Sequence, residues 1–494
     1  MTAAGATANP AAMLDLRPVG YVIGLLVAML GVAMLLPMLV DLLDGTAHWE
    51  AFFVSAVITW LTGGMVALSC HNGRGDGLSL QQTFLLTTGV WLALPMFGAL
   101  PFMLGATEAR VVDAFFEAMS GLTTTGSTVF SGLDELPRGM LLWRGLLQWL
   151  GGIGIIVVAM VFLPELRVGG MQIFRSEGFD TFGKILPRAT EISSRISVIY
   201  ITLTVACALA YVITGMSPFD AVVHAMTTIA TGGFANYDSS FGAFSVGTEY
   251  VAVVFMLLAA LPFVRFVQLT AGSARPLLQD SQIRAFFVTV AMIVIMLTCW
   301  QVLSNGLGSE AGFRKVLFNT TSIVTGTGYA SADYMQWGGF PVSVLFFAGL
   351  IGGCAGSTAC SIKVFRYQLL FATIKTQIRK IQHPSGVFTP SFQGRKIDDD
   401  VLSSVMSFFV FFTVTLGGLA VLLGMTGLDF TTALSGSAAA LANIGPGLGD
   451  IIGPAGNFAT LNDAAKWLLA AGMLIGRLEL LAVYVLFTVQ FWRA

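Results

Sequence analysis

The chain has 494 residues, of which 55% are hydrophobic and only 11% charged, with mean hydropathy +0.81; a soluble domain would carry about 25% charged residues. A formal net charge of −2 offers no basic surface for nucleic acid, and Cys70, Cys207, Cys299, Cys354 and Cys360 sit in or beside apolar runs without CxxC or zinc-ligand spacing, so they read as packing residues. His48, His71, His224 and His383 stand apart from one another, which disfavours a membrane-embedded enzyme with clustered ligands or bases.

Uncharged stretches able to cross about 30 Å of hydrocarbon recur along the chain, among them 19–40, 83–104, 286–307 and 401–428. The first is long and lacks an A-x-A cleavage site, so it is read as a retained membrane helix. Ten candidate spans start near Val19, Phe52, Thr83, Gly145, Ile196, Tyr250, Phe286, Phe340, Val401 and Trp467. An even number places both termini on one side. With the termini in the cytoplasm, seventeen of the 25 Lys and Arg residues flank cytoplasmic ends, and six (Arg110, Arg138, Arg144, Arg314, Lys315, Lys466) fall outside. Arg265 and Arg477 remain at membrane depth. The longest polar connections, 165–195 and 375–400, are then cytoplasmic, either as solvated loops or as contact points for a regulatory partner.

The last four outer connections are semi-apolar, and each closes on a Thr/Gly-rich turn before the next span: 122–127 (LTTTGS), 229–234 (IATGGF), 323–328 (IVTGTG) and 442–447 (ANIGPG). Pairing the turns by their central glycines aligns Gly126, Gly232, Gly326 and Gly445, spaced by 106, 94 and 119 residues, a recurrence that marks internal repetition. The unit is helix, half-helix, turn, helix. The expected fold is an all-α polytopic membrane protein: a two-helix N-terminal addition over 1–82, then four pore repeats over 83–195, 196–285, 286–400 and 401–494, arranged with pseudo-four-fold symmetry around one pore.

Irregular backbone at membrane depth is tolerated only where it is buried in protein or lines water, and four short loops around an axis can supply rings of carbonyls that replace the hydration shell of a potassium ion. The candidate ion-binding residues are therefore Thr124, Thr125 and Gly126; Ala230, Thr231 and Gly232; Val324, Thr325 and Gly326; and Asn443, Ile444 and Gly445. Glycine permits the backbone angles such a turn demands. Threonine precedes three of the four glycines and could add a hydroxyl ligand; Ile444 cannot, so the ring is expected to be asymmetric. Asp113, Asp220 and Asp429 are expected as N-caps of the half-helices, whose C-terminal dipole ends favour a cation. One Thr-Gly turn alone would mark a helix break or packing site; four at near-regular spacing favour a filter. Serine at one of these glycines would be expected in a sodium-permeable relative, and none is replaced.

The four turns, with the stretches 143–154 (WRGLLQWLGGIG) and 170–175 (GMQIFR), resemble the Trk/Ktr/HKT potassium transporter superfamily over nearly the whole chain. The two extra N-terminal helices and the length resemble its TrkH branch. The resemblance implies potassium uptake across the bacterial cytoplasmic (inner) membrane, a homodimer with one pore per protomer set in membrane lipid, and a cytosolic TrkA-like nucleotide-binding regulatory subunit. It implies no cofactor, the only metal being the transported K+ held by backbone carbonyls.

The small-residue run 349–363 (GLIGGCAGSTACSIK) disfavours continuous helix and reads as a break in the third repeat's second span, or as a close-packing helix face. The resemblance implies a gating loop beneath the filter, with Gly353, Ala355, Gly356, Ser357 and Thr358 as its moving part and Lys363 and Arg366 at its cytoplasmic end. Where relatives continue glycine-rich after Ser-Thr, this chain has Ala359, Cys360 and Ser361, a departure that bears on hinge flexibility. Arg477 is placed by the same resemblance in the pore below the filter as a positive barrier; a salt bridge with Glu479 is its structural alternative. Arg265 is expected to snorkel to the cytoplasm, and His224 to pack or hydrogen-bond. The competing function, a secondary transporter of another cation or small solute, predicts two-fold repeats and midplane charges.

Overall fold

In the computed structural model, residues 14–73, 78–158, 189–305 and 309–493 are described; the 170–175 stretch and most of the 165–195 connection lie outside them. The chain is an all-α polytopic membrane protein. Among the described residues, seven helices are long and apolar enough to cross a membrane, or nine if two sharply bent pairs each count as a span.

The N-terminal addition is α1 (Arg17–Leu43) and α2 (Trp49–Ser69). They approach closely because glycine faces glycine: a Cβ on Gly24 would lie 2.7 Å from the Gly63 carbonyl oxygen, and the reverse substitution meets the Gly24 carbonyl at the same 2.7 Å. The pair docks on the next unit through Asp41, whose carboxylate accepts from the Gly139 N–H at 2.7 Å, and through Asp44 with Arg138.

The four following units place a long helix, a buried half-helix and a second span in sequence. The first holds α3 (Leu80–Leu104), half-helix α4 (Val111–Leu122) and α5 (Arg138–Val157). A Ser79–Gln82 capping box starts α3. The second holds α6 (Ala189–Ile213), half-helix α7 (Pro218–Ile229), and a span bent by 90° between α8 (Val246–Ala259) and α9 (Phe263–Thr270), where Pro262 breaks the helix. The third holds α10 (Ser281–Asn305), half-helix α11 (Glu310–Thr325), α12 (Gly339–Gly349) and α13 (Val364–Gln382). The fourth holds α14 (Asp399–Met425), half-helix α15 (Phe430–Ala442) and α16 (Asp463–Arg477), bent by 106° into the 481–487 segment.

The eighth expected span, near Phe340, begins as α12, which is only 11 residues long and gives way to the irregular loop 350–363 before α13. The 375–400 connection carries a short hairpin, Ser391–Phe392 against Arg395–Lys396. Of the three acidic residues expected as N-caps, Asp429 is one, accepting from the Thr432 N–H. Asp220 and Asp113 instead stand in the third helical position, because Ser217 caps α7 and Arg110 precedes α4. In the first turn they still oppose the positive dipole end.

Candidate ion pathway

All four half-helices end the same way. An amide donates to the carbonyl five residues back: Thr125 to Ser120 (2.9 Å), Gly232 to Thr227 (2.8 Å), Thr327 to Ser322 (2.9 Å) and Ile444 to Ala439 (3.0 Å). The residue before each is left-handed, Thr124 (φ 52°), Thr231 (φ 49°), Gly326 (φ 72°) and Asn443 (φ 50°), and the residue after each is a left-handed glycine, Gly126 (φ 87°), Gly233 (φ 78°), Gly328 (φ 84°) and Gly445 (φ 104°). Positive φ is rare for a β-branched residue, so Thr124 and Thr231 mark a backbone that the surroundings impose.

This geometry corrects the register drawn from the central glycines. Gly232 is equivalent to Thr125, not to Gly126, and Gly326 to Thr124. The corresponding triplets are 124–126, 231–233, 326–328 and 443–445, so Ala230 falls one residue early. Val324 and Thr325 still belong to α11, and the Thr325 hydroxyl donates to the Thr321 carbonyl of that helix at 2.8 Å. The dipeptide Thr-Gly recurs at different depths in the turn, and identity matching followed the letters where the backbone follows φ.

The four left-handed glycines interlock in cyclic order. A Cβ on Gly126 would collide with the Gly232 carbonyl oxygen, one on Gly233 with that of Thr327, and one on Gly328 with that of Ile444; on Gly445 it would stand 2.8 Å from that of Thr125. Each turn thus presents a carbonyl to the glycine of its neighbour, and the fourth returns to the first, so the turns surround one axis. Glycine is required there twice, for angle and for space. All four line a single cavity of about 190 Å³.

Side chains tie the ring together. Ser127 donates to the Gly445 carbonyl (2.7 Å) and Asn443 to the Thr125 hydroxyl (2.9 Å). Gln148 on α5 clasps the second turn, donating to the Gly232 carbonyl (2.5 Å) and accepting from the Phe234 N–H (3.0 Å). Arg144, counted among outer charges in the sequence, is buried; it pairs with Glu117 at 2.9 Å and donates to the Ala235 carbonyl at 2.8 Å. The two charges gave no sequence signal of being partners, since pairing across 27 residues follows no helical spacing.

At the other end of the turns lies the 350–363 loop. The Cys360 thiol sits 3.6 Å from the Thr124 hydroxyl, and its Cβ is 3.3 Å from where a Cβ on Gly326 would be. Ser361, left-handed at φ 65°, donates to the carbonyls of Gly349 (2.7 Å) and Ala442 (3.1 Å), the latter the last residue of α15. The loop is moored on the α8–α9 break: the Gly356 carbonyl accepts from the Phe263 N–H (2.9 Å), Thr358 donates to the Ala259 carbonyl (3.0 Å), and a Cβ on Gly353 would stand 3.0 Å from the Ala260 oxygen. The Ala355 N–H donates to Gln282 (3.1 Å), and the Ser357 hydroxyl to the Cys354 carbonyl (2.7 Å). Lys363 turns back to the Ala359 carbonyl.

Arg477 reaches this loop. Its Nη1 donates to Cys360 Sγ at 2.8 Å and its Nη2 to the Gly151 carbonyl at 3.3 Å. Glu479 is not its partner: α16 ends at Arg477, left-handed Glu479 and Leu480 reverse the chain, and Glu479 pairs with Arg366. Arg265 does more than snorkel, since its guanidinium is bound to the buried Asp280 carboxylate at 2.7 Å. His224 hydrogen-bonds within α7 and beyond it, with Nδ1 2.8 Å from the Asp220 carbonyl. Among the described residues no group of His, Cys, Asp and Glu could hold a metal ion.

A family model described as TrkH, cation transport protein, matches residues 48–493. The chain is 44% identical over 485 residues to the Trk system potassium uptake protein TrkI of Halomonas elongata, covering 96% of this chain and 97% of that protein. It is 36% identical to the Trk system potassium uptake protein TrkH of Escherichia coli K12, covering 97% and 99%. Among solved structures, it is similar to the crystal structure of the potassium transporter TrkH from Vibrio parahaemolyticus, with TM-score 0.89 and 34% identity over 97% of this chain and 100% of that one.

Proposed function

The chain belongs to the TrkH family of cation transport proteins, an ion transporter and not an enzyme, and we propose that it takes up potassium across the bacterial cytoplasmic membrane through the axis enclosed by its four turns. The observation that carries this reading is the closed cycle of left-handed glycines Gly126, Gly233, Gly328 and Gly445, each against its neighbour's carbonyl. Four equivalent elements also weigh against a two-fold transporter. Carbonyls of the triplets 124–126, 231–233, 326–328 and 443–445 replace water around the ion, and the half-helix dipoles favour its charge. Residues 83–195, 196–285, 286–400 and 401–494 act as the four pore units around 1–82 as an addition.

Gating belongs to the 350–363 loop, with Gly353, Ala355, Gly356, Ser357 and Thr358 as its hinge and Arg477 as the charge an ion must pass. A homodimer, cytoplasmic termini and a cytosolic TrkA-like nucleotide-binding subunit complete the proposal; they rest on the family. The test is cation flux into liposomes holding the purified protein, potassium against sodium, with and without Gly328→Ser. Potassium-selective flux degraded by that change supports the filter. Selectivity unchanged by it refutes the assignment.

A further inference from the structure

The four turns are followed by four backbone amides in equivalent places, and each donates to a buried side chain of its own half-helix. Val129 donates to Glu117 Oε2 at 2.9 Å, Asn236 to His224 Nε2 at 3.3 Å, Ser331 to Asn319 Oδ1 at 3.2 Å and Leu448 to Ser435 Oγ at 2.9 Å. Every donor is the third residue after its left-handed glycine. The acceptor is the ninth residue before that glycine in the first three turns and the tenth in the fourth, where the ninth is Gly436 and has no side chain to offer. All four acceptors are buried, at 0–4% exposure.

The residues are a carboxylate, an imidazole, an amide and a hydroxyl; what they share is a lone pair at one position. Each is itself fixed from behind. His224 Nδ1, Asn319 Nδ2 and Ser435 Oγ reach the carbonyl four residues back in their half-helices, at 2.8, 2.8 and 2.7 Å. Because the Asn236 N–H occupies Nε2, the His224 proton is on Nδ1 and the ring is neutral. Glu117 has no proton to donate, and Arg144 and Thr128 hold it instead, both at 2.9 Å.

We propose that Glu117, His224, Asn319 and Ser435 are a four-fold set of positioning residues that fix the backbone leaving each turn and so set ion discrimination. The half-helix ends pin one side of each triplet, and this hydrogen bond pins the other, so the carbonyls between cannot relax toward a smaller ion. The inference rests on the filter reading above.

The test uses the full-length protein in liposomes and reads the potassium-to-sodium permeability ratio alongside potassium flux and thermal stability. Ser435→Ala and Asn319→Leu remove the acceptor; Ser435→Thr and Asn319→Asp retain it. The acceptor-free variants are expected to lower the ratio about fivefold, the size of one neutral hydrogen bond, and the retaining variants to restore it even where total flux changes. Folded Ser435→Ala and Asn319→Leu proteins with the original ratio would overturn the proposal, as would a Ser435→Ala protein that fails to fold while Ser435→Thr folds, because the hydroxyl would then serve stability alone. Gly328→Ser in the same assay separates the two readings: if it lowers the ratio and the acceptor-free variants do not, only the positioning role falls.

Discussion

Replacing Arg477 by glutamine is expected to speed potassium flux, and the structure sets the size of the effect. The guanidinium nitrogen is 2.8 Å from Cys360 Sγ, which is 3.6 Å from the Thr124 hydroxyl, so it lies within about 6.4 Å of the loop-facing end of the turns. A unit charge there repels a potassium ion by about 2.6 kcal/mol at an effective dielectric of about 20, and by about 1.3 kcal/mol if pore water doubles that dielectric. Those energies correspond to roughly 80-fold and roughly tenfold in rate. Glutamine keeps hydrogen-bonding capacity and removes the charge; Arg477→Lys keeps the charge. Initial rates of potassium uptake into liposomes, normalised to incorporated protein, should rise by at least tenfold for the first variant and change little for the second. Equal rates for Arg477→Gln and the parent protein would refute an electrostatic barrier at this site.

Alanine at Gly233 should be more damaging than alanine at Gly232: the first puts a Cβ at φ 78° against the Thr327 backbone, the second only against the Gln148 side chain. A left-handed Cβ alone costs about 1–2 kcal/mol, so the potassium-to-sodium ratio should fall further for Gly233→Ala in bi-ionic flux measurements. Glu479→Gln strips the buried Arg366 of its counter-charge and should destabilise the protein by about 3 kcal/mol, read as a lower unfolding midpoint with little change in ion selectivity. Cys360→Ala leaves the Arg477 Nη1 without its thiol partner; the freed side chain should slow potassium uptake, whereas Cys360→Ser, which still accepts a hydrogen bond, should not.

The fold was legible because its signals are long and additive. Apolar runs and half-helix turns survive errors of a residue or two, and the break in the third unit followed from the small-residue run before α13. What escaped was register. In 323–328 the letters Thr-Gly occur twice, at Thr325-Gly326 and Thr327-Gly328, and only the backbone angle decides that the second pair matches Thr125-Gly126. The same slip in 229–234 came from adjacent glycines, Gly232 and Gly233, of which only the latter is left-handed. The span starting near Phe340 is the broken one: α12 runs for 11 residues before the apolar run continues into the loop.

Charges misled most where burial reversed their meaning. Arg144, Arg314 and Lys466 count as outer positive residues in any tally of Lys and Arg, yet each is buried against a carboxylate, Glu117, Glu249 and Asp113 respectively. Each pair joins a half-helix to another helix, within the first unit for Arg144 and across units for Arg314 and Lys466, and no sequence spacing encodes it. Arg477 is the exception among the buried arginines described, because its near partners are a thiol and a carbonyl and its charge is left less compensated than that of Arg144 or Arg366. A structural ion pair would have supplied the carboxylate that Glu479 gives to Arg366 instead. A less compensated positive charge beside the loop-facing end of four cation-favouring half-helices is costly to stability alone, and that cost supports the proposal that it controls the ion.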